Sequence, residues 1–436
     1  MTNMRKEGIA VKRFITLLLT GALAATCVGC GSGGNDGGKV TLKLGAPGGD
    51  ALTPHKIVEG FKKENPNITV ELDETPWSDF KTKLKMQVAA GNAPDVFLTD
   101  SGYAATLGGM GAAVDLQDRI KKDINRDDFT SALDVMKSGE GNVWGVTHSL
   151  SSAAVLYNKN LFDEYGVEYP SEDWTFEDML NKAKQLTKDT NGDGETDIYG
   201  LAIGENMTTG WLPFILATGG APIDDTKTKS LFADPKTIEG LEKYRATVVD
   251  DKISPDRVWT TANGNTTTAF YSGKAGMLIC LLGTTKVIND NAPQDFSYDA
   301  QMMPIGWNGK RSCIYVPNQW VVYSKAGKSE QDAAWEWIKY FLSEKSQNIV
   351  AESFTSIGIP ARKSALESIN GIETVPENKE AFYKGLDKYG VTLFECPSWE
   401  EWKPKAEQAF LDMQAGALTA KQAAKQVDEV VSELLK

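Results

Sequence analysis

Between residues 40 and 98 a short alternating stretch and a longer one-faced apolar stretch take turns, and this pattern limits the chain more than any other feature. Val40, Leu42 and Leu44 alternate with polar neighbours as a strand, and after the turn Gly45–Asp50 the residues Ile57, Val58 and Phe61 mark one face of a helix. Asn65-Pro66-Asn67 ends that helix, and Ile68, Val70 and Leu72 alternate again. A helical stretch around Phe80–Ala90 follows, and Ala93-Pro94-Asp95 opens the apolar run Val96–Leu98. Strand, helix, strand, helix, strand implies a parallel sheet, and so an α/β fold.

Further on, Thr175-Phe176-Glu177-Asp178 reads as a capping box ahead of Met179, Leu180, Ala183 and Leu186. Asp234-Pro235 opens another helix, with Asp at the cap and Pro in the first turn. Ala333, Trp337, Ile338 and Phe341 mark a helix, and Thr419-Ala420-Lys421-Gln422 caps a last one carrying Val427, Val430, Val431 and Leu434. The final third is therefore helix-rich. No repeat of solenoid period is visible.

The first residues follow another logic. Arg5, Lys6, Lys12 and Arg13 precede the apolar run Phe14–Ala25, whose twelve residues are too few to span a bilayer as a helix. This is the pattern of a secretory signal over residues 1–29. The stretch Gly31–Gly38 after Cys30 has no apolar side chain to pack and reads as a flexible tether. A small residue before Cys30 and a tether after it resemble the lipobox of bacterial lipoproteins, although Cys27 stands where that motif prefers an aliphatic residue. The resemblance implies that Cys30 becomes a lipidated N-terminus anchored to the cell membrane.

Charge narrows the function. The chain carries 46 basic and 59 acidic residues, and removing residues 1–29 takes its net charge from −13 to −16. With no long Lys/Arg run, nucleic acid is not an expected partner. Its two histidines, His55 and His148, lie far apart, which excludes a His-rich metal site. Beyond Cys30 only Cys280, Cys313 and Cys396 remain, so at most one disulfide can form and the fold must be held by its core.

Several segments together resemble the extracellular solute-binding proteins of sugar-importing ABC transporters, the group that includes maltose-binding protein. They are the leader, Glu59–Ile68 (EGFKKENPNI), Gly91–Val96 (GNAPDV), Tyr157-Asn158-Lys159 through Phe162, Trp174–Asp178 and Phe270–Met277 (FYSGKAGM). The resemblance implies a two-lobed periplasmic-binding-protein-like fold of type II, crossed by the chain three times, near Ser149, Ser312 and Leu342. One lobe would combine residues 39–149 and 312–342, the other 150–311 and 343–436. It further implies hinge closure over a saccharide, delivery to permease subunits in the membrane, no required cofactor and a monomeric state.

A sugar offers C–H faces that stack on aromatic rings and hydroxyls that need paired donors and acceptors. In open parallel sheets ligands sit beyond the carboxyl ends of strands, which selects Asp50 after the first strand and Asp100, Ser101 and Tyr103 after the third. Either Asp could instead be the N-cap of the next helix; for Asp100 binding is the favoured reading, since a cap and a ligand contact use the same exposed position. Family similarity adds Ser151 and Ser152 after the first crossing, Trp211, Gln319, Trp320 and Trp399. For any one tryptophan, core packing is the alternative. Ser398-Trp399-Glu400-Glu401 also reads as a capping box, and His148 reads as a packed loop histidine beside the first crossing.

Asp189, Asn191, Asp193, Glu195 and Asp197 match the first nine positions of a calcium-binding EF-hand loop, with Gly194 at the sharp turn. Gly200 occupies the twelfth position, where a bidentate Glu should stand, so a structural Ca²⁺ and a plain Asn-Gly, Asp-Gly turn are both open. Two rivals to the sugar-receptor reading remain. One is a secreted glycosidase with a carboxylate pair. The other is the same receptor fold with a non-sugar or acidic cargo, the latter wanting an Arg clamp.

Overall fold

A computed structural model of the chain describes residues 39–48, 55–130 and 141–436. The leader, Cys30, the tether and Asp50 lie outside the described residues. Among the described residues there are ten strands: β1 (Val40–Pro47), β2 (Ile68–Thr75), β3 (Val96–Asp100), β4 (Val146–Asn158), β5 (Tyr199–Ala202), β6 (Ala275–Leu281), β7 (Tyr298–Met302), β8 (Cys313–Val322), β9 (Ile359–Pro360) and β10 (Gly390–Val391). Their order is β2-β1-β3-β8-β4-β6-β5, with β7 and β9 also pairing with β4 and β10 with β8.

β1 pairs parallel with both β2 and β3, as the alternation between residues 40 and 98 requires. β8 then runs antiparallel to β3 on one side and to β4 on the other. The thirteen-residue β4 does two jobs along its length. Val146–Ser152 pairs with β8, while Ala153–Tyr157 lies between β6 and β7. β4 and β8 carry the ladder from one half of the molecule into the other.

Each half has its own core. In the first, Leu42, Leu44, Ile57, Phe61, Val96 and Leu98 pack with Trp320, Trp337 and Phe341, while Phe80, Leu84, Phe97 and Leu107 form a second cluster. The edge-on pair Phe61–Trp337, with centroids 5.3 Å apart, joins helices Lys328–Phe341 and His55–Glu64. Such a pair contributes about 0.5–1.5 kcal/mol beyond its burial. In the second half Val155, Phe176, Phe214, Leu241 and Met277 pack with Trp402, Phe410 and Val427, and Leu156, Phe270, Leu278 and Phe382 form another cluster.

Val350, Ile357 and Ala361 join the first core although they lie beyond residue 342. Helix starts follow their sequence signals: Thr175 and Asp178 form a reciprocal capping box, as do Thr419 and Gln422, and Asp234 caps the helix that Pro235 begins. Cys280, Cys313 and Cys396 are buried free thiols, and burial pushes the Cys313 thiol up to about 11. No helix among the described residues is long and apolar enough to cross a membrane.

Candidate ligand-binding cleft

A cavity of about 640 Å³ draws its lining from both halves. Lys81 and Asp100 come from the first half, Ser151, Val316 and Asn318 from the two crossing strands, and Thr208, Leu281, Thr284 and Trp399 from elements packed on the second core. Asp100 ends β3, where an open parallel sheet places its ligand contacts. One of its carboxylate oxygens accepts the Tyr103 N–H at 2.9 Å and caps helix Ser101–Gly109. The other accepts from the Lys81 ammonium at 2.9 Å. Asp100 is therefore both a cap and a lining residue.

Lys81 is held twice. Its ammonium also donates to Glu400 at 2.8 Å, and Lys85 donates to the other Glu400 oxygen at 2.7 Å. Burial alone would lower the Lys81 pKa, but the charges of Asp100 and Glu400 outweigh it and raise it above the usual lysine value. Burial would likewise raise Glu400, and the two lysines instead hold its carboxyl low. Lysine ammoniums at 5.7 and 5.6 Å lie over the ring of Tyr103, whose hydroxyl burial pushes up to about 12. That ring is 5% exposed and packs among Phe80, Leu84 and Leu107, so Tyr103 supports the lysines from behind rather than lining the cavity.

Trp399 leads helix Trp399–Gln414 and, although only 3% exposed and packed on Trp402 in the second core, presents an edge to the cavity. Ser398 makes no side-chain cap bond, so the expected capping box does not form. The indole is packed so closely on helix Ser101–Gly109 that a Cβ at Gly102 would lie 2.3 Å from its Nε1. Ser101, rather than facing a ligand, donates its hydroxyl to the buried Glu395 carboxylate.

Besides Ser101 and Tyr103, four further expected contacts fall outside the cavity lining. Trp211 is fully buried between Phe232 and Phe410, because the turn Met207–Trp211 continues into a helix, Leu212–Thr218, that is itself wholly buried. Trp320 is fully buried beneath helix Lys328–Phe341, with Trp337 and Phe341 at 5.4 and 5.5 Å. Ser152 points to the opposite face of β4 from Ser151 and donates to the Phe382 carbonyl. Gln319 is buried and donates to Thr147 Oγ1 at 3.3 Å, while its neighbour Asn318 lines the cavity and donates to Ser149 Oγ at 3.1 Å. His148 lies on β4, not in a loop, and is buried against Trp320 and Phe341.

Lys81, Thr208, Thr284, Leu393 and Lys403 also line the cavity, and no local sequence signal marks them. Thr208 follows the Asn206 cap and was detectable only through its neighbourhood to Trp211. The three lining lysines are each paired with a carboxylate: Lys81 as above, Lys286 with Asp290 at 2.7 Å and Lys403 with Glu407 at 3.0 Å. No arginine occurs among the described lining residues.

The acidic loop at 189–197 is turned in on itself. Asp189 accepts the Gly192 and Gly194 N–H groups at 2.6 and 2.8 Å, and Asp197 accepts from the Thr190 N–H and hydroxyl, both at 2.7 Å. Asn191 and Asp193 accept the N–H groups of Asp193 and Glu195. These bonds hold the Asp189 and Asp197 carboxyls below the usual range. Among the described residues no group of three or more acidic, His or Cys side chains converges as a cation site.

Two cores, a sheet passed between them and a cavity lined from both define a two-lobed binding protein of the type II periplasmic class. The sequence profile of the bacterial extracellular solute-binding proteins matches residues 48–348, and the chain belongs to that family. It is 24% identical over 380 residues to the diacetylchitobiose-binding protein of Streptomyces coelicolor, covering 82% of this chain and 83% of that one. It is 24% identical over 323 residues to the maltotriose-binding protein of Pyrococcus abyssi, covering 72% and 63%. Among solved structures, an ABC substrate-binding protein of Listeria monocytogenes in complex with cycloalternan superposes with a TM-score of 0.79 at 25% identity, covering 91% of this chain and 99% of that one.

Proposed function

We propose that this chain is the extracytoplasmic substrate-binding lipoprotein of an ABC importer, capturing a neutral oligosaccharide in the cleft and handing it unchanged to a membrane permease. The observation that carries the reading is the juxtaposition of Trp399, Asp100 and Asn318 in one cavity. An indole beside a carboxylate and an amide supplies a stacking face together with hydroxyl acceptors and donors. The absence of arginine from the described lining and the pairing of each lining lysine support an uncharged cargo.

In this reading residues 39–149 and 312–342 move as one lobe, and 150–311 and 343–436 as the other. The packing of Val350 and Ile357 on the first core supports a last crossing drawn out beyond Leu342. Closure is a hinge motion about β4 and β8. The protein works as a monomer, with Cys30 carrying the lipid and residues 31–38 serving as the tether. It needs no cofactor.

The test is tryptophan fluorescence and thermal melting of the mature protein against a panel of mono- and oligosaccharides, with the sugar analysed after each titration. A saccharide that raises the melting temperature and is recovered intact is the expected result. Recovery of shortened sugar would replace the receptor with a hydrolase.

A further inference from the structure

Thr355, Ser356, Ile357 and Gly358 form a continuous edge of the cavity. This edge runs straight into β9, which pairs with Ser149 and Leu150 of β4. Gly358 has a φ of +116° and lies so close to β4 that a Cβ there would stand 2.4 Å from the Leu150 carbonyl oxygen. A side chain would forbid both the conformation and the approach.

One side chain outside the lining holds this arrangement together. Gln347 is fully buried in helix Glu344–Glu352. Its amide donates to the carbonyls of His148 in β4 and of Phe341 at the end of helix Lys328–Phe341, both at 3.1 Å. Its Oε1 accepts the Arg362 N–H just after β9, also at 3.1 Å. Ser149, equally buried, makes a second tie: its hydroxyl donates to the Ile357 carbonyl at 3.1 Å and accepts from the Asn318 amide of β8 at 3.1 Å. The helix that carries Gln347 straddles the two halves, with Val350 in the first core and Ala351 beside Phe354 and Phe382 in the second.

A buried amide that uses both donors and its acceptor resists the separation of its partners, because each group left unpaired keeps its desolvation cost. We infer that Gln347, assisted by Ser149, is a positioning residue that makes the cleft edge Thr355–Gly358 and the crossing strand β4 move as one piece, so that cargo resting on that edge acts directly on the hinge. The inference rests on the hinge-closure reading above.

Gln347→Leu keeps the volume and removes all three bonds, and Ser149→Ala is the milder variant should the first fail to fold. Hydrogen exchange of the unliganded mature protein, followed by calorimetry with maltotriose or another sugar of the panel that the unmodified protein accepts, tests the assignment. In both variants the amides of residues 357–362 are expected to exchange about tenfold or more faster, while those of helix Ala420–Leu434, packed on the second core, keep their rates. Sugar affinity of the folded variants is expected to fall about tenfold.

A merely structural role would raise exchange evenly along the chain and leave affinity unchanged, and either of those results would overturn the inference. Failure of the unmodified protein to bind any sugar would overturn the carbohydrate reading alone, since unaltered exchange at residues 357–362 overturns this one without a ligand.

Discussion

Lys81 and Glu400 stand 319 residues apart in the chain and meet at 2.8 Å. Lys81 belongs to a helix of the first half, and Glu400 to the first turn of helix Trp399–Gln414, whose body is buried in the second core. Lys85 and Asp100 complete a four-member network, and Trp399 lies against Gly102 beside it. The wall of the cleft is thus joined across the two halves by charge as well as by packing.

Glu400→Gln keeps the shape of that network and removes its central negative charge. The expected effect is a loss of about 1–2 kcal/mol in denaturant stability at low salt, shrinking as salt is added, because partly exposed pairs are screened. The depressed Glu400 pKa gives stability that is present above the ordinary glutamate value and lost as pH falls through the lowered one, so the variant should also be less acid-sensitive there. Denaturant midpoints equal to those of the unmodified protein at low and high salt would show that the network contributes nothing.

His148 has neither ring nitrogen bonded, and burial pushes its pKa down to about 3. An unfolded histidine protonates near 6.5, so below that pH the unfolded chain binds the extra proton. Stability should fall progressively as pH drops from about 6.5 toward 3, with this one group contributing at most roughly 4–5 kcal/mol at the acid end. His148→Phe fits the cage of Trp320 and Phe341 and cannot titrate. Its melting temperature should depend less steeply on pH between 6.5 and 4, and parallel curves for the two proteins would remove His148 from the account.

Tryptophans separate by role. Trp399→Ala is expected to weaken saccharide binding at least tenfold, because a stacking face is lost. Trp320→Ala and Trp211→Ala should each cost about 3–5 kcal/mol of stability through the cavity left behind, with affinity preserved in the folded fraction. Gly102→Ala drives a methyl into the Trp399 indole and should mimic Trp399→Ala in binding while leaving the secondary structure intact. Calorimetry and circular dichroism on the four variants decide this, and a binding defect in Trp320→Ala without loss of stability would contradict the burial argument.

The 189–197 loop satisfies its carboxylates with its own N–H groups. Adding a chelator, or millimolar calcium after chelation, is therefore expected to leave the melting temperature unchanged. A rise with calcium would mean that the loop opens its Asp189 and Asp197 contacts to take the ion.

The first two strands between residues 40 and 98 were legible because they alternate apolar and polar residues, the third as a short apolar run after Ala93-Pro94-Asp95, and Asp100 because a strand end is a place in the sequence as well as in the fold. β4 was not legible, since it is buried on both faces and shows no alternation. Trp211 and Trp320 were placed by family similarity, and their local sequence carries no trace of the distant aromatic and helical neighbours that bury them. Lys81 sits in a helix as an ordinary lysine would on a solvated face, and only the arrival of Glu400 from the far end of the chain gives it a role. Information of that kind is held in pairs of residues, not in local pattern.

Pro317 lies opposite Leu150 where β8 and β4 pass between the two halves, and the register of β4 slips between Thr147 and Ser149 beside it. Proline cannot donate a ladder bond, and a slip leaves a residue out of register, so the joint is stitched less densely than the sheet on either side. Compliance is thereby placed at one spot in an otherwise stiff plate. Pro317→Ala would add a donor there and stiffen the spring, which should slow the exchange of nearby amide hydrogens and slow the arrival and departure of cargo alike.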